Sequence, residues 1–205
     1  TLKKYNDIFI WFSGNHDDPK YFENQLINTN YVKCIPTYSV INVLNKNILN
    51  VSGGISIDRQ FRMQNDSVSI VRYMKYHNCD YQTAEQNCLK TYWPDEPVIY
   101  RPKVEEHIDI ICSHSAPSFC YPTCFPNDKG GIVKDFAAYD SKLLEDIDRE
   151  RAVLDQVYED YKDEVTHWYY GHFHKSQMQT INNTMFKLLN IGEIVRHYSD
   201  NNNTL

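Results

Sequence analysis

Four of the eight histidines in this 205-residue chain stand in three short clusters: Gly14-Asn15-His16-Asp17, Ser113-His114-Ser115 and Gly171-His172-Phe173-His174. These residue types point to metal ligation. Neutral imidazole is the commonest nitrogen ligand for zinc, iron and manganese, and an Asn carbonyl adds an oxygen. His172 and His174 alternate, so an extended segment would set both on one face. In a loop they can instead splay towards two ions roughly 3.5–4 Å apart, the separation of two-metal hydrolases. Glycine ahead of Asn15 and of His172 lets the backbone come close to such ions. His77, His107, His167 and His197 stand alone in polar or mixed surroundings and read as surface or satisfied structural residues.

Each cluster follows a run of strand length. Residues 8–12 (IFIWF) form a continuous apolar run closed by Ser13-Gly14-Asn15, which predicts a buried strand in a sheet covered on both faces. Residues 108–112 run into Ser113-His114-Ser115, and residues 166–170 into the Gly171 cluster. Residues 38–43 and 47–51 read as a strand pair turning at Asn45-Lys46, and the second enters Ser52-Gly53-Gly54, a close-approach loop. A hairpin is predicted over 177–181 and 185–191 with its turn at Asn182-Asn183. Pro19 opens a helical spacing over 19–28.

The clearest helix covers 141–162, where Leu143, Leu144, Ile147, Arg151, Leu154, Val157, Tyr158 and Tyr161 recur at three- and four-residue steps. Residues 60–100 are polar and Tyr-rich without a clear period, and predict helical pieces and loops, a candidate insertion. Residues 117–135 hold three prolines and Gly130-Gly131 and predict a long irregular loop, with its aromatic 117–125 part placed to cap a cleft. Strands alternating with helices give an α/β layered architecture, in one domain over 1–205, with a site at one edge of the sheet.

Composition narrows the function classes. Hydrophobic residues at 41% and charged residues at 23% are those of a globular chain rather than a disordered one. A net charge of −6 gives no global attraction to nucleic acid or acidic membranes, so nucleic acid enters only as a substrate. No apolar run approaches a membrane span, and the first residues lack the apolar core of a signal peptide. The six cysteines include no C-x-x-C pair and read as reduced thiols of a cytoplasmic protein.

With order and spacing taken together, the Gly14-Asn15-His16-Asp17, His114 and Gly171-His172-Phe173-His174 motifs resemble the last three motifs of the calcineurin-like metallophosphoesterases. Residues 52–59 (SGGISIDR) and 92–97 (YWPDEP) are similar to elements of a prokaryotic and phage branch of that superfamily, so the resemblance runs from Ile8 to about Ile194. It implies an α/β/α sandwich of two facing mixed sheets. It also implies two divalent metal ions (manganese, iron or zinc) and hydrolysis of a phosphomonoester or phosphodiester by a hydroxide bridging them. Asn15, His114 and His172 would bind one ion and His174 the other. His16 would approach the scissile phosphate as general acid or electrostatic stabiliser, and Asp17 would support the ligands from behind. Arg59, with Asp58, is a candidate for gripping the phosphoester; the alternative is a salt bridge that shapes the loop. Trp93 with Pro94 reads as loop packing.

The family's opening D-x-H and G-D motifs do not occur before Gly14, and no G-D dipeptide occurs anywhere in the chain. Two explanations compete: an upstream segment of roughly 50–70 residues within the usual domain size, or a degenerate, non-catalytic member. The presence of all four candidate ligands and of His16 favours the first. As it stands the chain is expected to bind at most one metal well. The rivals from other classes are a non-catalytic interaction module on the same fold, as in the superfamily's retromer subunit, and a closed structural zinc site built from the same histidines.

Overall fold

The apolar runs ahead of the histidine clusters form strands in the computed structural model, which describes residues 8–120, 122 and 131–196. In chain order the described elements begin with β1 (Phe9–Trp11), α1 (Pro19–Glu23), β2 (Val32–Cys34), β3 (Val40–Val43) and β4 (Lys46–Val51). They continue with α2 (Arg59–His77), α3 (Tyr81–Asn87), β5 (Ile110–Ser113), a 3₁₀ turn at Ser118–Cys120 and α4 (Ile132–Ala137). Last come α5 (Leu143–Tyr161), β6 (His167–Tyr170), β7 (Gln177–Ile181) and β8 (Thr184–Leu188).

Six strands form one mixed sheet in the order β3-β4-β5-β6-β8-β7. Its centre is parallel, and the outer strands β3 and β7 pair antiparallel with their neighbours. The β3–β4 turn passes through Leu44 and Asn45, both at positive φ (53° and 60°), one residue earlier than the sequence predicts. β1 and β2 pair parallel in a separate two-stranded sheet. The architecture is therefore mixed α/β.

The long amphipathic helix is α5, and it is packed into the main core. Its Leu154, Val157, Tyr158 and Tyr161 share one cluster with Leu49, Val51, Ile111, Trp168, Phe186 and Leu188 of the sheet. Trp168 and Phe186, paired across β6 and β8, stack with ring centroids 5.6 Å apart. Each such fully buried side chain contributes about 1.5–3 kcal/mol. One turn of α5 departs from the expected face, because the buried position is Glu150 and not Arg151. A smaller cluster of Ile55, Val133, Leu143 and Ile147 joins α4 to the start of α5.

One expectation is corrected. β1 is not covered on both faces: Phe9 is 51% and Trp11 44% exposed, because β1 has only β2 beside it among the described residues. Residues 60–100 hold helical pieces and loops as expected, and the first piece is a single 19-residue helix, α2, ended by Asn78 in the left-handed conformation (φ 49°). Asp18 caps α1 and Asp80 caps α3, each accepting from a backbone N–H of its first turn. Of the expected 117–135 loop, residues 121 and 123–130 lie outside the described residues, and with them most of the proposed aromatic cap. The five described cysteines are free thiols. Among the described residues no helix is long and apolar enough to cross a membrane.

Candidate functional site

The chemical loops leave the carboxyl ends of four strands, β1, β4, β5 and β6, which carry respectively Asn15-His16, Gly53-Gly54, His114 and His172-Phe173-His174. This is the edge at which open α/β sheets place ligands. After β1 the chain turns tightly, and Asp17 Oδ2 accepts from Gly14 N at 2.8 Å. That bond turns Asn15 inward, where it is 4% exposed. Asp17 thus holds the turn that carries Asn15.

The His114 ring lies between two glycines. A Cβ on Gly14 would stand 2.6 Å from His114 Cε1, and one on Gly54 would stand 2.8 Å from His114 Cδ2. Neither position tolerates a side chain while the ring stays where it is, so these glycines serve close approach. Gly171 N donates to His114 O at 3.1 Å and ties the β6 loop to the β5 loop. Beyond Gly171 the backbone of both His172 (φ 67°) and His174 (φ 51°) is left-handed, a conformation rarely adopted by residues other than glycine and often found at functional sites.

Three side-chain atoms converge at this point. His114 Nε2 lies 2.8 Å from Asn15 Oδ1 and 3.1 Å from His172 Nδ1. Burial, helped by His172, pushes the His114 imidazole down to about 3, and burial with His174 pushes His172 down to about 4. Both rings are therefore neutral at pH 7. Asn15 Oδ1 only accepts, so His114 Nε2 must carry a proton to bond it; it then has no lone pair for His172 Nδ1. The other tautomer sets two lone pairs, on His114 and Asn15, against each other. No tautomer pairs all three atoms well, whereas a cation takes all three lone pairs together. The donor set fits a divalent transition metal on chemical grounds.

A cleft of about 430 Å³ opens beside these atoms. Its polar side is formed by Asn15, His16, Asp58, Arg62, His114, His172 and His174, and its apolar side by Ile57, Ile132, Val133, Phe136 and Phe173. Arg62 Nη2 donates to His16 Nε2 at 2.6 Å, which fixes the neutral ring with its proton on Nδ1. Burial, then the Arg62 charge, lowers the His16 pKa. Arg62 is itself held by an ion pair from Nε to Asp58 Oδ1 (2.8 Å) and by a bond from Nη1 to Thr91 O (3.1 Å).

The other predicted site residues separate. Asp58 lines the cleft through its pair with Arg62. Arg59 takes the structural alternative: its guanidinium bonds Asp140 through Nε and Asp146 through Nη2 at 2.6 Å, and it does not line the cleft. These bonds, Asp140 first, hold its pKa above the ordinary arginine value. His174 lines the cleft, but among the described residues no group of three His, Cys, Asp or Glu side chains is assembled around an ion position there or elsewhere. The converging trio escapes that description because its third member is an amide.

Sequence reasoning passed over Arg62, Ser56 and Glu96. Asn15 Nδ2 donates to Ser56 Oγ (2.9 Å), and Ser56 Oγ donates to Glu96 Oε2 (2.8 Å). Burial raises the Glu96 carboxyl to about 7 against two bonds from Ser56. The available signal for Arg62 was its four-residue step from Asp58, the helical ion-pair spacing. Ser56 and Glu96 lie in the SGGISIDR and YWPDEP segments, but the sequence assigned neither of them a role. No model of a known protein family matches this chain, and no curated protein matches it.

Proposed function

We propose that this chain is a metal-dependent phosphoesterase of the calcineurin-like kind, acting on a phosphomonoester or phosphodiester. The observation that carries the reading is the convergence of Asn15 Oδ1, His114 Nε2 and His172 Nδ1, 2.8 and 3.1 Å apart, beside the His16–Arg62 pair in one cleft. On this reading Asn15, His114 and His172 hold one divalent ion, manganese, iron or zinc, and His174 belongs to a second. Such ions supply charge neutralisation on phosphoryl oxygens and a water acidic enough to ionise near neutral pH. The finer architecture, two facing sheets in a sandwich, belongs to the same reading: the small β1–β2 sheet delivers Asn15 and His16, and the large sheet delivers His114, His172 and His174.

The chain's own groups have distinct tasks. Arg62 is permanently charged and donates to phosphoryl oxygens. His16 Nε2 is occupied by an Arg62 donor in the free cleft. A phosphoryl oxygen that competes for that donor frees the Nε2 lone pair, which takes up a proton from water and passes it to the departing alkoxide. Ile57, Val133, Phe136 and Phe173 exclude water and accept the carbon part of the ester. The net charge of −6 disfavours a long nucleic acid as substrate.

Metal analysis of the full-length protein, with turnover of p-nitrophenyl phosphate and its bis ester, tests the proposal. The expected result is bound transition metal that is lost in His114→Ala, and turnover that is lost in His16→Ala while metal is retained. Metal bound without turnover of either ester would sink the enzyme reading in favour of a binding module.

A further inference from the structure

We infer that Glu96, acting through Ser56, is the positioning residue that decides which end of the Asn15 carboxamide faces the His114–His172 pair. The inference rests on the metal-binding reading above and extends it to a residue that touches no ligand atom. A carboxamide is nearly symmetric in shape, and only its hydrogen-bond partners distinguish its oxygen from its nitrogen. For Asn15 that choice is decisive, because the oxygen has a lone pair for a cation and the NH₂ group has none.

The chain of bonds behind Asn15 is polar in one direction. Once ionised, as at pH 8.5, the Glu96 carboxylate only accepts, and it receives both donors of Ser56: the backbone N–H at Oε1 (2.6 Å) and the hydroxyl at Oε2 (2.8 Å). With its single proton committed to Glu96, Ser56 Oγ offers only lone pairs to Asn15. It therefore takes the Asn15 Nδ2 proton at 2.9 Å, and Oδ1 is turned towards His114 Nε2. Water cannot scramble this order, since Asn15, Ser56 and Glu96 are 4%, 0% and 3% exposed.

The fold anchors the origin of the chain at the backbone. Gly54 N donates to Glu96 O at 2.8 Å, and Gly53, at φ 108°, passes so close that a Cβ there would lie 2.8 Å from the same oxygen. The YWPDEP segment is thereby fastened to the loop after β4, and Glu96, the second of its two acidic residues, is delivered to the back of Asn15.

Glu96→Gln is the sharp test, because it preserves shape and removes only the acceptor-only character. The Gln oxygen still accepts from Ser56 N, but its NH₂ group then faces Ser56 Oγ and donates to it. The Ser56 proton is released towards Asn15, and the amide turns its oxygen inward. The probe is Mn²⁺ alone, titrated calorimetrically at pH 8.5 into the full-length wild type, Glu96→Gln, Ser56→Ala and Asn15→Ala, with melting temperature recorded for each.

Affinity is expected to fall about 10- to 100-fold in Glu96→Gln, the usual effect of losing a ligand's outer partner, with the melting temperature kept. In the metal-free protein, the Asn15 side-chain NH₂ should show NOEs to Ser56 in wild type and to the His114 ring in Glu96→Gln. If Glu96→Gln and Ser56→Ala bind Mn²⁺ as wild type does while Asn15→Ala does not, the relay is overturned and the metal site stands. If wild type itself binds no Mn²⁺, the metal reading fails and the inference fails with it.

Discussion

Arg62 and His16 meet with the guanidinium Nη2 donating to the imidazole Nε2 at 2.6 Å, and this contact joins a helix to the loop after the first strand. Arg62 is nearly buried, and Asp58 fixes its Nε side, so its direction is set by the fold and not by the solvent. Arg62→Ala is expected to lower kcat for a phosphoester by about 10²- to 10⁴-fold, comparable with loss of a general acid–base group. Bound metal is expected to be unchanged. Arg62→Lys should fail to restore the rate, because an ammonium cannot bond Asp58, Thr91 and a phosphoryl oxygen in one plane. Steady-state kinetics with metal analysis on the same samples decides this; loss of metal in Arg62→Ala would show that the residue supports the ligands.

Arg59 serves the opposite purpose from its neighbour three positions on. It is 11% exposed and bridges Asp140 and Asp146, 6% and 21% exposed, joining the start of α2 to the start of α5. Arg59→Ala leaves the buried Asp140 without its cation, while Asp146 keeps Arg149 at 3.0 Å, and is expected to cost about 3 kcal/mol. Urea unfolding reads that loss. KM for the ester should stay at the wild-type value, and a raised KM in a stably folded variant would return Arg59 to the substrate.

The contrast between these two arginines shows what the sequence could disclose. β4, β5 and β6 were legible because their apolar runs end abruptly in Ser, Gly and His, and the same boundaries placed the histidine clusters at the strand ends. α2 was not legible, because its inward face carries Arg62, Asp66 and Ile70 rather than an apolar stripe. Asp66 is buried because it accepts the backbone N–H groups of Thr91 and Tyr92, partners about 25 positions away. β1 misled in the other direction: IFIWF looks like a strand covered on both sides, yet only β2 lies beside it among the described residues. Glu96 stayed hidden for a related reason, since its meaning depends on Ser56, 40 positions earlier. Apolar periodicity reports burial only where burial is apolar.

The glycines around His114 set a steric condition on the proposed metal site. Gly54→Ala places a methyl group 2.8 Å from His114 Cδ2, and Gly14→Ala places one 2.6 Å from Cε1. The ring must shift in either variant, away from Asn15 Oδ1 and His172 Nδ1. Overpacking of this kind costs about 1–3 kcal/mol, and the larger effect should fall on metal affinity. Calorimetric Mn²⁺ titration is expected to show weaker binding in both variants than in Gly131→Ala, where a Cβ meets nothing within 4 Å. Equal affinity across the three would mean that the ring position does not matter for binding.

Glu150 provides a pH signature of the core. It sits on the buried face of α5, 5% exposed, and burial pushes its carboxyl up to about 6 despite bonds from Ser115 and the backbone of Val98 and Ile55. A carboxyl whose folded pKa is raised favours the native state while it is protonated. Its contribution is complete below the unfolded value near 4.5 and disappears as pH rises through about 6. The difference of about 1.5 units corresponds to about 2 kcal/mol. Glu150→Gln is neutral at every pH and lacks this term, so its stability relative to wild type should rise by about 2 kcal/mol between pH 4.5 and pH 7.5. Urea unfolding of the two proteins at those two pH values measures it. A constant difference would mean that the core leaves the Glu150 pKa at its unfolded value, the Ser115, Val98 and Ile55 donors and the Arg151 charge offsetting burial.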